Sequence, residues 1–361
     1  MNTKQPAAVI KNSSSFTICL CFIKFPILQN EYQVIDLTAM NSINKYQSLI
    51  IALAIVIGIL IGQLESGKVY AQYLIVPFLM MMLFGVFLNI PSRNLLKGFY
   101  NLKFLFSNTI VNFLWTPVFA YFLGYIFLKN ELNLWIGFLM LMVTPCTDWY
   151  LIFTGIAKGN TSLSASILPL NLFLQIILLP IYLFVFFGRT GYVDTAVLYE
   201  SVLLVLVIPF VLAQLFKYVS GKIKFGKYIE NKVLPFFDVG QVIFLGLAIM
   251  AMFASQGDYL TKNIEIFLIL LVPVLLFFVI NFFLGQIISR FMKFNYEDTA
   301  SLNLTTLARN SPISLAIAIT AFPDEPLVAL ALVIGPLIEL PILAIVSQIL
   351  LRIRKYELKK G

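Results

Sequence analysis

The chain contains no histidine and few charged residues. None of its 361 residues is His, and only 12% are Asp, Glu, Lys or Arg. The lack of imidazole excludes histidine-based metal centres, histidine proton relays and Ser-His-Asp catalytic sets. A soluble domain carries about 25% charged residues. The composition, which is 60% hydrophobic, therefore predicts a protein that crosses a membrane several times.

Cysteines and nucleotide-binding sequences are also scarce. Three cysteines, Cys19, Cys21 and Cys146, do not make a disulfide framework. The chain has neither a Gly-x-Gly-x-x-Gly sequence nor a Gly-x-x-x-x-Gly-Lys-Ser/Thr sequence. We therefore expect no enzyme, no ATP-driven pump, no cofactor and no bound metal. The basic residues lie in loops, where a lipid bilayer explains them, and nothing predicts binding to nucleic acid.

Long hydrophobic runs dominate the sequence instead. A helix needs about 20 apolar residues to cross the hydrocarbon core, and ten segments are candidates. They lie at 47–64, 71–90, 103–128, 133–157, 161–187, 198–217, 233–254, 264–290, 298–322 and 327–351. Among the basic residues of the short connections, only Lys68, Lys129, Arg189 and Lys262 fall on the second side of the membrane. The positive-inside rule therefore predicts a plasma-membrane protein with both termini in the cytoplasm.

The spans predict one transmembrane transporter domain at 45–352, followed by a basic cytoplasmic tail at 353–361. Residues 1–44 form an extension whose apolar run is too short to span a membrane. A typical first span follows Met40 directly. We therefore expect the natural start at Met40, with non-native or disordered residues before it.

Prolines recur at matching places in two halves of the chain, at about 45–188 and 198–352. The pairs are Pro77 with Pro235, Pro117 with Pro273, Pro145 with Pro312, and Pro169 with Pro336. The last two matched prolines of each half, Pro145 and Pro169 in one and Pro312 and Pro336 in the other, are separated by the same 24 residues. Five spans per half would give the second half inverted topology, and inverted repeats with broken helices are typical of secondary transporters. The alternative is that proline is simply common in membrane helices.

Two of the ten spans carry an interruption. In span 4, Pro145 removes a backbone donor, and Thr147 or Asp148 can cap the helix that resumes. In span 9, Ser311 and Pro312 are typical of a helix start, because Ser is a favoured N-cap and Pro a favoured first residue. We predict an all-α fold in which the discontinuous helices 4 and 9 cross at the midplane. Their helix ends and irregular backbone would form a polar substrate site there.

Charged residues lie at both interruptions, where burial in lipid costs about 2.5–3.5 kcal/mol on insertion scales. Asp148 and Arg309, which precedes Asn310, occupy equivalent points. They either contact a substrate or coupling ion, or form a structural ion pair. Glu339 lies between two prolines of span 10, where we expect the helix to unwind. It can carry a proton, unless it serves only to pair with Arg309.

The remaining candidates are uncharged. The thiolate of Cys146 is a soft ligand that suits a thiophilic metal or metalloid, although a buried cysteine is often only a small packing residue. Asn171 and Gln175 in span 5 share a face, because they are four residues apart. They are weaker candidates, since polar side chains commonly join membrane helices. The candidate substrate- or ion-binding set is Cys146, Thr147, Asp148, Arg309, Asn310, Ser311 and Glu339, with Asn171 and Gln175 as additions.

Several short sequences resemble one group of transporters. They are Thr144-Pro145-Cys146-Thr147, Lys158-Gly159-Asn160, Asn310 with the stretch 315–319, and Gly335-Pro336-Leu-Ile-Glu339-Leu-Pro341. Together they resemble the bile acid:sodium symporter and arsenite permease superfamily, and the arsenite permease branch is the closer match. The resemblance covers essentially all of residues 45–352. It implies ten transmembrane helices in two inverted five-helix repeats, with spans 3–5 and 8–10 as a core and the other spans as a panel.

The resemblance also implies a function. In the arsenite branch, the cysteine and the glutamate that match Cys146 and Glu339 are functionally important, and that branch exports arsenite in exchange for protons. The bile acid branch imports organic anions with sodium. Asp148 and Arg309 depart from the arsenite pattern, and Arg309 would suit an organic anion. We expect a proton-coupled arsenite efflux permease. A sodium-coupled organic-anion symporter is the alternative, and a membrane sensor or scaffold is a third hypothesis that no signalling domain supports.

Overall fold

The structure is a computed structural model that describes residues 50, 52–88, 101–147, 149–191, 195–222, 233–262 and 265–358. The extension at 1–44, the start at Met40, and Asp148 lie outside these residues. Within them the fold is all helical, without a β-strand. The α-helices are α1 (Ala52–Ile61), α2 (Glu65–Leu88), α3 (Leu102–Ile110), α4 (Thr116–Phe127), α5 (Leu132–Val143), α6 (Trp149–Ile156), α7 (Thr161–Phe187), α8 (Thr195–Val202), α9 (Ile208–Lys222), α10 (Leu234–Lys262), α11 (Glu265–Met292), α12 (Tyr296–Leu307), α13 (Ser311–Ala321) and α14 (Pro326–Leu358).

Seven helical stretches of the described chain are long and apolar enough to cross a membrane. They are Gly67–Leu88, Leu102–Phe127, Thr161–Thr190, Ala196–Ser220, Leu234–Ser255, Leu268–Met292 and Pro326–Tyr356. Two of them contain a five-residue π-helical segment, Val111–Trp115 between α3 and α4, and Leu203–Val207 between α8 and α9. The protein is therefore an integral membrane protein.

Three predicted spans, 47–64, 133–157 and 298–322, are not among these seven stretches. In the described residues they contain shorter helices: α1 in the first, α5 and α6 in the second, and α12 and α13 in the third. The arrangement as ten spans in two inverted repeats stays a prediction.

Prolines inside the long helices do not end them. α14 continues through Pro336 and Pro341, so the expected unwinding around Glu339 is wrong. A proline has no N–H to bond the carbonyl four residues earlier, and another donor can replace it. The Ser311 hydroxyl donates to the Leu332 carbonyl oxygen, to which Pro336 cannot donate. This bond keeps the carbonyl paired and ties α13 to α14.

The same replacement occurs where α4 begins. Pro117 has no N–H to donate to the Phe113 carbonyl oxygen in the preceding π-helical segment. The Tyr182 hydroxyl of α7 donates to that oxygen at 2.6 Å. Neighbouring helices can thus supply the donors that prolines remove, which is how membrane helices tolerate proline.

Small residues let two pairs of helices approach closely. α1 packs against α10 at Gly58 and Gly62, where an added Cβ would lie 2.4 and 2.6 Å from backbone carbonyl oxygens of α10. α5 packs against α14 at Gly137, where an added Cβ would lie 2.4 Å from the Val328 oxygen. Close contacts between small residues are typical of membrane helices. α14 also contacts α12, so it lies beside both interrupted spans.

Candidate functional site

Both segments with a predicted interruption are broken in the structure. After α5, Thr144 has an extended backbone (φ −106°, ψ 99°), and α6 begins only at Trp149. After α12, Ala308 is extended as well (φ −69°, ψ 137°), and α13 begins at Ser311. The first break agrees with the preference of a residue before proline for an extended backbone, because Thr144 directly precedes Pro145.

The two broken segments lie against each other as a short antiparallel pair. The Cys146 N–H donates to the Ala308 carbonyl oxygen at 3.0 Å, and the Asn310 N–H donates to the Thr144 carbonyl oxygen at 2.7 Å. Backbone groups buried at membrane depth must be paired within the protein. These bonds pair groups that the interrupted helices leave open, so each break stabilises the other.

Side chains of the breaks cap the helices that resume. The Asn310 side chain accepts a hydrogen bond from the first turn of α13 at 3.3 Å, so the prediction of Ser311 as the cap is wrong by one residue. Asn is as good an N-cap as Ser. The Cys146 sulfur accepts from the N–H of Trp149, the first residue of α6, at 3.3 Å. The Thr147 hydroxyl, a predicted cap, accepts from the Asn310 amide at 3.3 Å.

Arg309 is buried, with 1% of its surface exposed, and its guanidinium joins two helix ends. Nη1 donates to the Met142 carbonyl oxygen at 2.7 Å, Nε donates to Leu307 at 3.0 Å, and Nη2 donates to Thr306. These carbonyls belong to the last turns of α5 and α12, where a helix has unpaired carbonyls and partial negative charge. The guanidinium carbon also lies 5.0 Å from the centre of the Phe277 ring, a cation–π contact. One cation therefore compensates both helix ends.

A chain of asparagines, which the sequence interpretation missed, continues this network. Arg309 Nη2 donates to Asn112 Oδ1 at 3.1 Å, and Asn112 Nδ2 donates to Asn108 Oδ1 at 3.1 Å. Asn108 Nδ2 in turn donates to the Thr305 hydroxyl at 2.7 Å. All four side chains are buried. The spacing of Asn108 and Asn112, four residues apart within one span, is the sequence signal that places the two side chains on one helix face.

Glu339 and Cys146 both lie beside Arg309. The Glu339 carboxylate is 3% exposed, and its Oε1 accepts the backbone N–H of Arg309 at 2.8 Å. The Cys146 thiol is 1% exposed. Cys146 adjoins Pro145, which lies opposite Arg309 in the antiparallel pair, and its N–H bonds the carbonyl of Ala308, the residue before Arg309. The paired breaks therefore bring a thiol, a carboxylate and a guanidinium together in the interior.

Asn171 and Gln175 lie on the buried face of α7. Neither the amide nitrogen nor the amide oxygen of either side chain has a hydrogen-bond partner among the described residues. The described part of the chain therefore shows no hydrogen bond by which these residues join another helix, and their part in binding stays a prediction. Buried polar groups are nearly always paired, so this exception requires an explanation.

The breaks gather most of the predicted site residues, namely Cys146, Thr147, Arg309, Asn310, Ser311 and Glu339. Asp148 lies outside the described residues, and its pairing with Arg309 stays a prediction. In the described part of the chain, no group of three or more His, Cys, Asp or Glu residues is placed to hold a metal ion. Among the described residues, the chemistry available at the breaks is therefore that of one thiol, one carboxylate, one guanidinium, and backbone, amide and hydroxyl groups.

Known families identify the kind of protein. The sequence profile of the sodium bile acid symporter family matches residues 76–263, more than half of the chain. The chain belongs to the sodium bile acid symporter family. The matched region contains the first interruption and α7, and the second interruption lies beyond it.

Individual relatives of this symporter-family chain extend the similarity. The arsenical-resistance protein Acr3 of Corynebacterium glutamicum is 27% identical over 244 residues, 65% of this chain and 66% of that protein. The arsenical-resistance protein Acr3 of Alkaliphilus metalliredigens is 25% identical over 350 residues, 91% of this chain and 97% of that protein. An uncharacterized transporter of Synechocystis is 25% identical over 340 residues, 86% of this chain and 88% of that protein.

Family membership and the long apolar helices make this symporter-family protein a secondary transporter and not an enzyme. The resemblance to the superfamily is confirmed, and arsenical-resistance proteins are among the relatives of this chain.

Proposed function

We propose that this protein is a proton-coupled arsenite efflux permease of the plasma membrane. One observation carries the proposal: the paired breaks hold a buried thiol, Cys146, and a buried carboxylate, Glu339, beside the same residue, Arg309. A soft thiol suits a thiophilic metalloid, and a carboxylate can bind and release a proton. The arsenical-resistance relatives support the same substrate class.

The Cys146 thiol binds the substrate by replacing one hydroxyl group on the arsenic. Arsenous acid is a neutral oxyacid at physiological pH. An As–S bond forms as one As–O bond breaks, and the departing hydroxyl leaves as water with the thiol proton. Addition of water reverses the step and releases arsenous acid. The hydrogen bonds from Cys146 N–H to Ala308 and from Trp149 N–H to the Cys146 sulfur hold the thiol in place for this exchange.

Arg309 serves the fold rather than the substrate. Its guanidinium donates to three backbone carbonyls and to Asn112, so the charge is committed to the two helix ends. A site whose cation is engaged in this way suits a neutral oxyacid better than an organic anion, which would need that cation.

Glu339 carries the coupling proton. Its carboxylate accepts the Arg309 N–H, and a proton placed on that oxygen competes with this bond. α14 packs against both α5 and α12. Loss of the bond therefore weakens the attachment of α14 to the second break, which links protonation to a change of conformation.

We infer that α5 with α6 and α12 with α13 each cross the membrane once. The protein then has ten spans in two inverted repeats, with the breaks near the midplane. The matching prolines of the two halves and the pairing of the two breaks support this arrangement. The excess of Lys and Arg on one side supports cytoplasmic termini.

A sodium-coupled organic-anion symporter is the second candidate function, because sodium and bile acid describe the matched family. In that case Arg309 would have to release its carbonyl partners to bind an anion, and transport would not need the thiol of Cys146.

Flux into inside-out vesicles separates these functions. Arsenite and several organic anions are supplied in turn, and proton and sodium gradients are imposed separately. We expect arsenite uptake driven by an acidic lumen, abolished in Cys146→Ser and retained in the matched control Cys19→Ser. Sodium-driven uptake of an organic anion that survives Cys146→Ser would reject the proposal in favour of the symporter. Absence of any substrate-dependent flux would reject both.

A further inference from the structure

Two neighbouring carboxamides of α7 are buried without partners. Asn171 and Gln175 are 0% and 1% exposed, and their four amide atoms make no hydrogen bond to any described residue. Burial of such groups without a partner is costly. The molecule contains a direct comparison, because Asn108 and Asn112 have the same spacing and are linked by a bond of 3.1 Å. Spacing alone therefore does not explain why the pair on α7 is unpaired.

The position of Asn171 along α7 puts the pair level with the breaks. At the start of α7, the Asn160 N–H and side chain bond to Glu297 and Asp298 at the start of α12, and the two helices contact each other. A helix rises about 1.5 Å per residue, so Asn171 lies about 17 Å and the end of α12 about 14–15 Å from these contacts. α7 also contacts α5 and α6, the two helices that the Cys146 segment joins.

The chemistry of the pair restricts what it can bind. Each carboxamide offers N–H donors and a carbonyl acceptor. A bare cation would satisfy only the two oxygens, and a carboxylate would satisfy only the two NH₂ groups. A neutral ligand with several hydroxyls donates and accepts, so it can satisfy both amides at once.

We propose that Asn171 and Gln175 form a subsite that recognises the hydroxyl groups of a neutral hydroxylated substrate held at Cys146. This inference rests on the proposed function and adds a substrate class to it. Cys146 bonds the arsenic, and the two carboxamides bind the hydroxyls that remain. The pair thereby selects trivalent arsenicals by their number of hydroxyls.

Three arsenicals that react with thiols but carry decreasing numbers of hydroxyls test the subsite. They are arsenous acid, methylarsonous acid and dimethylarsinous acid. Uptake is measured in inside-out vesicles for the wild type, Asn171→Leu, Gln175→Met and the matched control Gln286→Leu, which removes a half-buried carboxamide from α11. For arsenous acid we expect KM to rise about tenfold in each α7 variant, the effect of one lost hydrogen-bonding group. KM for dimethylarsinous acid should be unchanged in both α7 variants. KM for arsenous acid should be unchanged in the control Gln286→Leu.

Thermal unfolding of the same variants separates recognition from a structural role. Removal of an unpaired buried amide should leave Tm unchanged or raise it, whereas loss of a structural bond would lower it. If a variant fails to fold, Gln175→Glu replaces it, because it keeps the acceptors and loses the donors. An equal rise in KM for all three arsenicals, an unchanged KM for arsenous acid, or a lowered Tm would overturn the subsite. If the wild type carries no arsenical, the proposed function fails and the subsite falls with it. If the wild type carries arsenous acid in a manner that needs Cys146 but not the amides, only the subsite fails.

Discussion

Replacement of Arg309 by lysine keeps the positive charge and removes the planar fork of donors. The fork reaches the ends of both α5 and α12 as well as Asn112, through four guanidinium bonds. A lysine ammonium is a compact point charge and cannot span these partners. With roughly three bonds lost at about 0.6–1.7 kcal/mol each in a membrane protein, Arg309→Lys should lower the free energy of unfolding by about 2–5 kcal/mol.

The assay is denaturant unfolding of the purified protein in detergent, with Arg354→Lys as the matched control. Arg354 is partly exposed, and among the described residues it pairs with Glu297 at 3.4 Å and lies 5.4 Å from the centre of the Tyr296 ring. Such pairs contribute about 0–1 kcal/mol, so the control should unfold close to the wild type. An Arg309→Lys protein with wild-type unfolding and a raised KM for an anionic substrate would show that the charge binds substrate. It would refute the assignment of Arg309 to the helix ends.

Three further changes have distinct expected outcomes. Ser311→Ala should lower Tm, because it leaves the Leu332 carbonyl unpaired. Adding Pro336→Ala to that variant should restore part of the lost Tm, because alanine returns an N–H to the same carbonyl. Additive effects of the two changes would contradict this pairing. Gly137→Ala should prevent the close contact of α5 with α14, because the added Cβ would lie 2.4 Å from a backbone oxygen. The yield of folded protein on size-exclusion chromatography should therefore fall. A normal yield and Tm would show that the contact can relax. Glu339→Gln should retain arsenite binding, measured by equilibrium dialysis, but lose the response of flux to a proton gradient; an unaltered response would exclude Glu339 as the proton carrier.

The positions of the breaks could be predicted from sequence because their cause is local. Pro145 and Pro312 each disfavour a continuous helix through the residues just before them. The prolines also occupy matching positions in the two halves, which strengthens the prediction. The N-cap was misplaced by one residue because Asn310 and Ser311 are adjacent and both are favoured caps. Only the folded chain decides between them, since the Ser311 hydroxyl is used by the Leu332 carbonyl.

The partners of the polar residues could not be predicted in the same way. Arg309 bonds to Met142 and Asn112, which are distant in sequence, and no periodicity indicates such pairs. The continuity of α14 through Pro336 likewise depends on a donor from another helix. Asn108 with Asn112 and Asn171 with Gln175 show the same pattern in sequence, yet only the first pair is linked by a hydrogen bond. Spacing places side chains on one face but does not show whether they bond.

Arsenic X-ray absorption on the purified protein tests most directly whether the thiol in the paired breaks is the metalloid site. The experiment uses Cys19→Ser with Cys21→Ser, so that Cys146 is the sole thiol, and the sample is loaded with arsenite. We expect one sulfur neighbour and the rest oxygen around arsenic, and loss of the sulfur neighbour when Cys146 is also replaced by serine. Arsenic with only oxygen neighbours in the protein that retains Cys146 would contradict the proposed site.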